Sequence, residues 1–193
     1  MKTTLNIAAG KSNPIDFVQD AFVVNLDISY FDYATPKEIE IHYEMNLINL
    51  TGDTYKCNCD AFEFMEKTTI SFDQITCYRF LEHADKDRVL YFIYLMSACL
   101  KIGGEVAIIV PDYKKLSKMI LSEIPGEHNW EAHDILVTTE VVNHSAEPHA
   151  SVWTQDRLPY FFELEGRFKT TYNEPYEFDG RDIYIRYQAK RIK

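Results

Sequence analysis

The segment that decides the fold spans residues 85–112 and reads DKDRVLYFIYLMSACLKIGGEVAIIVPD. In its first half, apolar residues recur at every third or fourth position, which predicts an amphipathic helix over 85–100. Gly103 and Gly104 are expected to end this helix. The continuous apolar run 106–110 then indicates a strand that is covered on both faces of a sheet. A helix followed closely by a buried strand is typical of α/β folds with parallel sheets.

The same alternation of strands and helices extends outward from this segment in both directions. Helices are predicted over 62–65, over 113–122 and from Thr154 to about Gly166. Seven apolar or β-branched runs are predicted to form strands: 3–7, 22–27, 54–60, 70–78, 106–110, 167–172 and 182–189. Turn residues between the last two runs favour an antiparallel hairpin at the sheet edge. We therefore predict an α/β fold, a Rossmann-like three-layer sandwich whose mostly parallel, seven-stranded sheet ends in a C-terminal antiparallel hairpin.

The composition is that of one globular domain spanning residues 1–193. Hydrophobic residues make up 46% of the chain, and no apolar run is long enough to cross a bilayer. The net charge of −10 argues against a nucleic-acid partner, because phosphate backbones repel an acidic surface. Four cysteines without the spacing of a metal site, and no recognisable leader, predict a cytoplasmic protein with reduced thiols. Alternating residues at 39–45 indicate a further half-exposed strand or an extended flap.

Small and acidic residues follow the first two predicted strands. Because open parallel sheets bind ligands at the carboxyl ends of their strands, these positions are candidate site residues. Ala8, Ala9 and Gly10 are small enough to let backbone amides approach a ligand closely. Asp27, which precedes Ile28, provides a carboxylate that can accept hydrogen bonds from two ribose hydroxyls.

The ends of the later strands carry further candidates. Asp60, followed by Ala61, can accept a hydrogen bond from an adenine edge, or it can cap a helix. Tyr78 and Arg79 follow the fourth strand, and Arg79 can bind a substrate anion or form a surface ion pair. Asp112 is predicted to cap the helix over 113–122 rather than to act in catalysis.

Taken in order, these motifs resemble the class I S-adenosylmethionine-dependent methyltransferases, particularly small bacterial and phage proteins described as predicted methyltransferases. Six matching segments lie in the first part of the chain: 5–10, 24–27, 72–75, 80–83, 100–106 and 110–112. A seventh, 149–158, resembles the start of a later helix in the family, with Trp153 followed by Thr154.

The resemblance implies S-adenosylmethionine as the cofactor and methyl transfer to an oxygen or nitrogen of a small molecule. It implies these cofactor-binding residues: Ala8, Ala9, Gly10, Asp27, Ile28, Asp60, Ala61, Tyr78 and Arg79. The first motif has alanines where the family usually has glycines. A binding or regulatory module without catalysis therefore stays open as an alternative, as do a nucleic-acid methyltransferase and another Rossmann-type transferase.

Two histidines are candidates for the base that deprotonates the acceptor. We predict His83 as the first candidate and His149 as the second, because imidazole titrates near neutrality. The alternative for His83 is a packing residue in a turn beside a solvated Glu82. Residues 123–150 are predicted to form a polar lid over the substrate. His128 and His133 are five residues apart, as are His144 and His149, unlike ligands on one helix face, so this segment favours a polar lid over a metal site.

Overall fold

One mixed sheet of eight strands organises the described part of the chain. The computed structural model describes residues 2–7, 21–26, 47–51, 54–57, 60–85, 87–122, 149–178 and 181–193. The strands are β1 Lys2–Ile7, β2 Ala21–Leu26, β3 Leu47–Thr51, β4 Thr54–Cys57, β5 Phe72–Tyr78, β6 Leu100–Pro111, β7 Phe168–Phe178 and β8 Arg181–Arg191. The helices are α1 Ala61–Lys67, α2 Val89–Cys99, α3 Tyr113–Leu121 and α4 Arg157–Glu165. The segment 39–45 and residues 123–148 of the predicted lid lie outside these ranges.

The strands follow the order β3-β4-β2-β1-β5-β6-β8-β7 across the sheet. The central strands β4, β2, β1, β5 and β6 are parallel, and β8 and β7 continue the sheet antiparallel as the predicted C-terminal hairpin. The predicted count of seven strands is wrong, because β3 adds an antiparallel edge strand beside β4. The chain leaves β1 for β2 on one side and returns to β5 on the other. The β1–β5 boundary is therefore the topological switch point.

Helices cover both faces of the sheet, as the three-layer prediction requires. On one face, Phe64 of α1, Phe92 of α2 and Phe162 of α4 pack into the main core with Ile75 and Ile108 of the sheet. On the other face, a smaller core joins Leu116 of α3 to Ile109 and Ile183. Neighbouring residues of β6 thus point to opposite cores, which explains why 106–110 is apolar without interruption.

The glycines in the deciding segment do not end the preceding helix, contrary to prediction. Helix α2 ends at Cys99, and both glycines lie inside β6, where its pairing with β5 is irregular. Gly103 has a φ of 85°, which favours glycine. A Cβ on Gly104 would lie 2.9 Å from the carbonyl oxygen of Lys101 and 3.0 Å from that of Asp73. The glycine pair therefore allows β6 to bend closely against β5.

Helix boundaries follow local hydrogen bonds. The predicted helix over 85–100 begins only at Val89. The residues before it form a turn, in which the backbone carbonyl of Asp85 accepts from the backbone N–H of Arg88. The predicted cap at Asp112 is confirmed, since its carboxylate accepts from the amides of Lys114 and Lys115. Pro159 fits in α4 because it lies in the first turn, where a backbone N–H has no intrahelical partner.

Candidate functional site

The carboxyl ends of the parallel strands meet at one edge of the sheet. At this edge Ile7, the last residue of β1, pairs with Leu26 of β2 and with Cys77 of β5. The predicted cofactor residues Ala8, Ala9, Gly10, Asp27 and Ile28 lie outside the described residues.

A row of hydrogen-bonded, buried polar side chains lies beneath this edge, one or two residues before the strand ends. The side-chain amide of Asn6 donates to Asn25 Oδ1 at 2.9 Å, and the Thr76 hydroxyl donates to Asn6 Oδ1 at 2.9 Å. The donor atom of the Asn25 side chain, Nδ2, is buried and has no hydrogen-bond partner among the described residues. These residues were not among the candidates predicted from the sequence, although a polar side chain between two apolar neighbours near the end of each of three strands was a visible signal.

Asp60 and Ala61 stand at the start of α1. Asp60 caps the helix, with its Oδ1 accepting from the backbone N–H of Glu63 at 3.0 Å. Ala61 is the first helical residue and is buried. The capping alternative for Asp60 therefore holds, and the cap uses only one of its two carboxylate oxygens.

Tyr78 and Arg79 follow each other at the end of β5 but have different environments. Tyr78 is buried in the smaller core, whereas Arg79 is exposed. Arg79 has a φ of 54°, and its backbone N–H donates to the carbonyl of Ile109 at 2.8 Å. A positive φ is uncommon outside glycine, so this residue marks a sharp change of chain direction at the strand end.

The structure brings the two candidate catalytic histidines together. Their ring centroids lie 4.8 Å apart in an edge-to-face arrangement. His83 lies in a turn after β5, where its backbone N–H donates to the carbonyl of Phe80. The segment that carries His149 is held on this turn by the amides of Ala150 and Ser151, which both donate to the carbonyl of Glu82.

Tyr113 contacts His149 from the end of β6. Its hydroxyl forms a short hydrogen bond with His149 Nδ1, and its backbone N–H donates to the carbonyl of Trp153. Burial raises the pKa of Tyr113 well above its ordinary value, and the negative charge of Glu82 raises it further. Tyr113 therefore stays protonated at neutral pH and holds the imidazole in place.

Glu82 is buried, which corrects the expectation that it is a solvated neighbour of His83. Its side chain is only 1% exposed, and Oε2 has no hydrogen-bond partner in the part of the chain that is described. Burial raises the pKa of Glu82 to about 8, although hydrogen bonding to its own backbone and the charge of Arg79 act in the opposite direction.

Polar atoms of Glu82, His83 and His149 all lie within 4.8 Å of one another. We refer to these three residues as the Glu-His-His cluster. Because β5 ends at Tyr78 and β6 ends at Pro111, just before Tyr113, the cluster lies beyond the carboxyl ends of β5 and β6. Such a group can bind a polar substrate atom, exchange a proton with it, or bind a cation. Sequence spacing pairs His149 with His144, whereas the fold places it beside His83.

Two further observations concern the setting of the protein. In the described ranges, no helix combines the length and the apolar character needed to cross a bilayer. Cys77 and Cys99, the two cysteines whose state the structure defines, are free thiols buried in the core.

Comparison of the structure with solved structures gives the class of fold. The chain aligns over its whole length with 72% of a 1,6-didemethyltoxoflavin N1-methyltransferase from Burkholderia thailandensis, at 13% identity and a TM-score of 0.63. It also aligns over its whole length with 79% of the N-methyltransferase NodS from Bradyrhizobium japonicum, at 10% identity and a TM-score of 0.59. Both proteins were crystallised with S-adenosylhomocysteine. In a third match, 99% of the chain aligns with 92% of a methyltransferase from Methanosarcina mazei, at 15% identity and a TM-score of 0.60.

Searches by sequence gave no comparable match. No family model matches the chain, and no curated protein matches it. The strand order and the structural matches nevertheless define the fold as that of the class I S-adenosylmethionine-dependent methyltransferases. On this fold, the Glu-His-His cluster lies beyond the carboxyl ends of β5 and β6.

Proposed function

We propose that the protein is a methyltransferase that uses S-adenosylmethionine to methylate an oxygen or nitrogen of a small molecule. The observation that carries the proposal is the Glu-His-His cluster at the carboxyl edge of a methyltransferase-type sheet. Ligands of open α/β sheets bind at this edge, beside the switch point. The solved structures with the same fold include enzymes that act on small molecules, such as 1,6-didemethyltoxoflavin.

The residues at the strand ends fit a nucleoside cofactor. Asp27 would bind the ribose, and residues 8–10 would border the methionine part. Asp60 would receive the adenine amine on Oδ2, because its helix cap uses Oδ1. The unpartnered amide donor of Asn25, just beneath this edge, provides a further polar group for the ligand or for a bound water. The remaining walls of the cofactor pocket would be formed by Ile28, Ala61, Tyr78 and Arg79.

The protein's own contribution to the reaction is to orient the acceptor and to take its proton. Bound cofactor would supply a methyl group on a sulfonium sulfur, an electrophile that needs no further activation. His83 would accept the proton as the acceptor attacks, with His149 as the second base. Tyr113 positions His149 through its hydrogen bond with Nδ1.

The proposal includes a cytoplasmic location and a small-molecule acceptor. The buried free thiols of Cys77 and Cys99 support a cytoplasmic location, where thiols stay reduced. The net charge of −10 supports a small-molecule acceptor over a nucleic acid.

Calorimetric titration with S-adenosylmethionine and S-adenosylhomocysteine tests the proposal. We expect both ligands to bind, and we expect Asp27→Ala to weaken binding by at least about tenfold, since it removes two charge-assisted hydrogen bonds. Asp156→Ala is the matched control, because the Asp156 side chain is 89% exposed and makes no capping hydrogen bond to α4.

Each outcome of the titration has a defined meaning. Absence of binding at millimolar concentration would rule out the methyltransferase function. Binding that Asp27→Ala leaves unchanged would contradict the ribose assignment. Binding without methyl transfer to any small-molecule acceptor would favour a regulatory module instead.

A further inference from the structure

We propose that the Glu-His-His cluster binds one divalent transition-metal ion, and that this ion receives an oxygen atom of the methyl acceptor. Two imidazoles and one carboxylate are a ligand set that suits ions such as Zn²⁺, Mn²⁺ or Fe²⁺. The role in acceptor binding rests on the proposed function, whereas binding of the ion itself does not.

The distances in the cluster suit a single ion. One potential ligand atom from each of Glu82, His83 and His149 lies within 4.8 Å of the others. Ligand atoms around an ion with bonds of about 2.1 Å lie roughly 3.0–3.4 Å apart. Side-chain rotations that move these atoms by about an ångström would therefore close the cluster on the ion.

A buried carboxylate oxygen without a partner provides an independent reason to place a cation here. Glu82 is 1% exposed, and its Oε2 has no hydrogen-bond partner among the described residues. Leaving a buried carboxylate oxygen unpaired costs free energy, and such groups are usually paired or coordinate a metal. A cation held between Glu82 and the two imidazoles would supply the missing partner.

The surroundings of the cluster hold its ligands as a metal site requires. In the tautomer whose Nδ1–H donates to the Tyr113 hydroxyl, His149 carries its lone pair on Nε2, the usual arrangement of a metal-bound histidine. Two backbone hydrogen bonds tie the segment carrying His149 to the carbonyl of Glu82. All three ligands are therefore attached to one hydrogen-bonded unit.

Three protein ligands leave at least one coordination position open, which is typical of catalytic rather than structural ions. An acceptor hydroxyl in that position would lose its proton to water more readily, because the ion stabilises the resulting oxyanion. The inferred acceptor is thus an oxygen-bearing small molecule. With the ion bound, the imidazoles are ligands and water takes this proton, so the role of His83 as the base under the proposed function applies to the metal-free site.

Titration of the metal-stripped full-length protein with Co²⁺ tests the inference, because Co²⁺ bound to nitrogen and oxygen ligands absorbs visible light. We expect one Co²⁺ per chain, displaced by Zn²⁺. Glu82→Gln and His149→Asn should each weaken Co²⁺ binding by at least about tenfold. Glu163→Gln is the matched control, because Glu163 is exposed on α4 and is not part of the cluster.

Circular dichroism of each variant shows whether it is folded. If Glu82→Gln does not fold, His83→Asn and His149→Asn decide the question. A dissociation constant for Co²⁺ above about 1 mM in the wild-type protein would overturn the inference. Equal Co²⁺ affinity of the wild type and the folded cluster variants would also overturn it. Titration of the metal-free protein with S-adenosylhomocysteine keeps the two proposals separate. Loss of nucleoside binding with Co²⁺ binding intact would contradict the methyltransferase function alone.

Discussion

At the scale of single residues, Ser151 joins the two segments of the candidate site. Its hydroxyl donates to the carbonyl of Leu81 at 2.8 Å and accepts from Trp153 Nε1 at 2.9 Å. Both the serine and the indole are buried, so neither hydrogen bond is replaced readily by water. The distance between His83 and His149 therefore depends on a side chain that touches neither.

Ser151→Ala should lower the free energy of unfolding by about 1–3 kcal/mol, because it leaves the buried indole N–H of Trp153 without its acceptor and removes one of the two hydrogen bonds to the Leu81 carbonyl. Urea denaturation measures the change. Ser122→Ala is the control: Ser122 also donates to a carbonyl, that of Met119, but it is exposed, and its removal should cost less than about 0.5 kcal/mol. Equal losses for the two variants would contradict the role given to Ser151.

At the scale of elements, the helices at the carboxyl edge begin with acidic caps. Asp60 starts α1, and Asp112 starts α3, whose first residue Tyr113 contacts His149. An aspartate in this position satisfies otherwise unpaired backbone N–H groups of the first turn. The caps thus serve the fold directly and also position the first residues of both helices at the candidate site.

Replacement of Asp60 separates its structural role from its proposed binding role. Asp60→Ala should cost about 0.5–2 kcal/mol of stability, whereas Asp60→Asn should retain most of it, since asparagine caps helices equally well. Thermal denaturation measures both. If the free Oδ2 binds adenine, Asp60→Asn should still weaken S-adenosylhomocysteine binding in calorimetry. Unchanged affinity in the asparagine variant would leave Asp60 as a cap alone.

At the scale of the whole molecule, the two ends of the sheet have different roles. The carboxyl ends carry the candidate site. Near the amino ends, Asp73 of β5 accepts from the backbone N–H of Thr3 in β1 at 2.8 Å and from the Lys101 ammonium of β6 at 2.8 Å. These contacts hold three adjacent strands together away from the site, so they should affect stability without affecting ligand binding.

The hydrogen bond from Lys101, together with that from the Thr3 amide, lowers the pKa of Asp73 to about 2. The pKa of an aspartate in the unfolded chain is about 3.9. The Asp73 carboxylate therefore stabilises the fold fully above that pH, and this contribution is lost as the pH falls toward about 2. Asp73→Asn should therefore be less stable than wild type at pH 7, and its stability should fall less steeply between pH 5 and pH 3. Urea denaturation across this range tests it.

Parallel stability curves for wild type and Asp73→Asn would contradict the assigned pKa. Affinity for S-adenosylhomocysteine provides the second readout, since we expect Asp73→Asn to leave it unchanged. A loss of affinity comparable with that of Asp27→Ala would show that the amino ends of the strands also support the site.

Most of the fold was predictable from local patterns, because each buried element carries its own signal. A short β-rich run marked β1, apolar runs marked β2 and the second half of β6, and Asp112 marked the start of α3. The glycines at 103 and 104 were misinterpreted, because a glycine that ends a helix and one that lets two strands approach look alike in sequence. Strand β3 was not predicted, since it is only five residues long and lies at the sheet edge with one neighbour.

The sequence by itself determined the α/β class, the resemblance to methyltransferases and the two histidines worth testing. Only the tertiary structure decided that Glu82 is buried, and that His149 lies beside His83, which is distant from it in sequence. The physical reason is the range of the interactions. Periodicity and caps depend on residues a few positions apart, whereas the site depends on hydrogen bonds between segments that are distant in sequence and meet only when the chain folds.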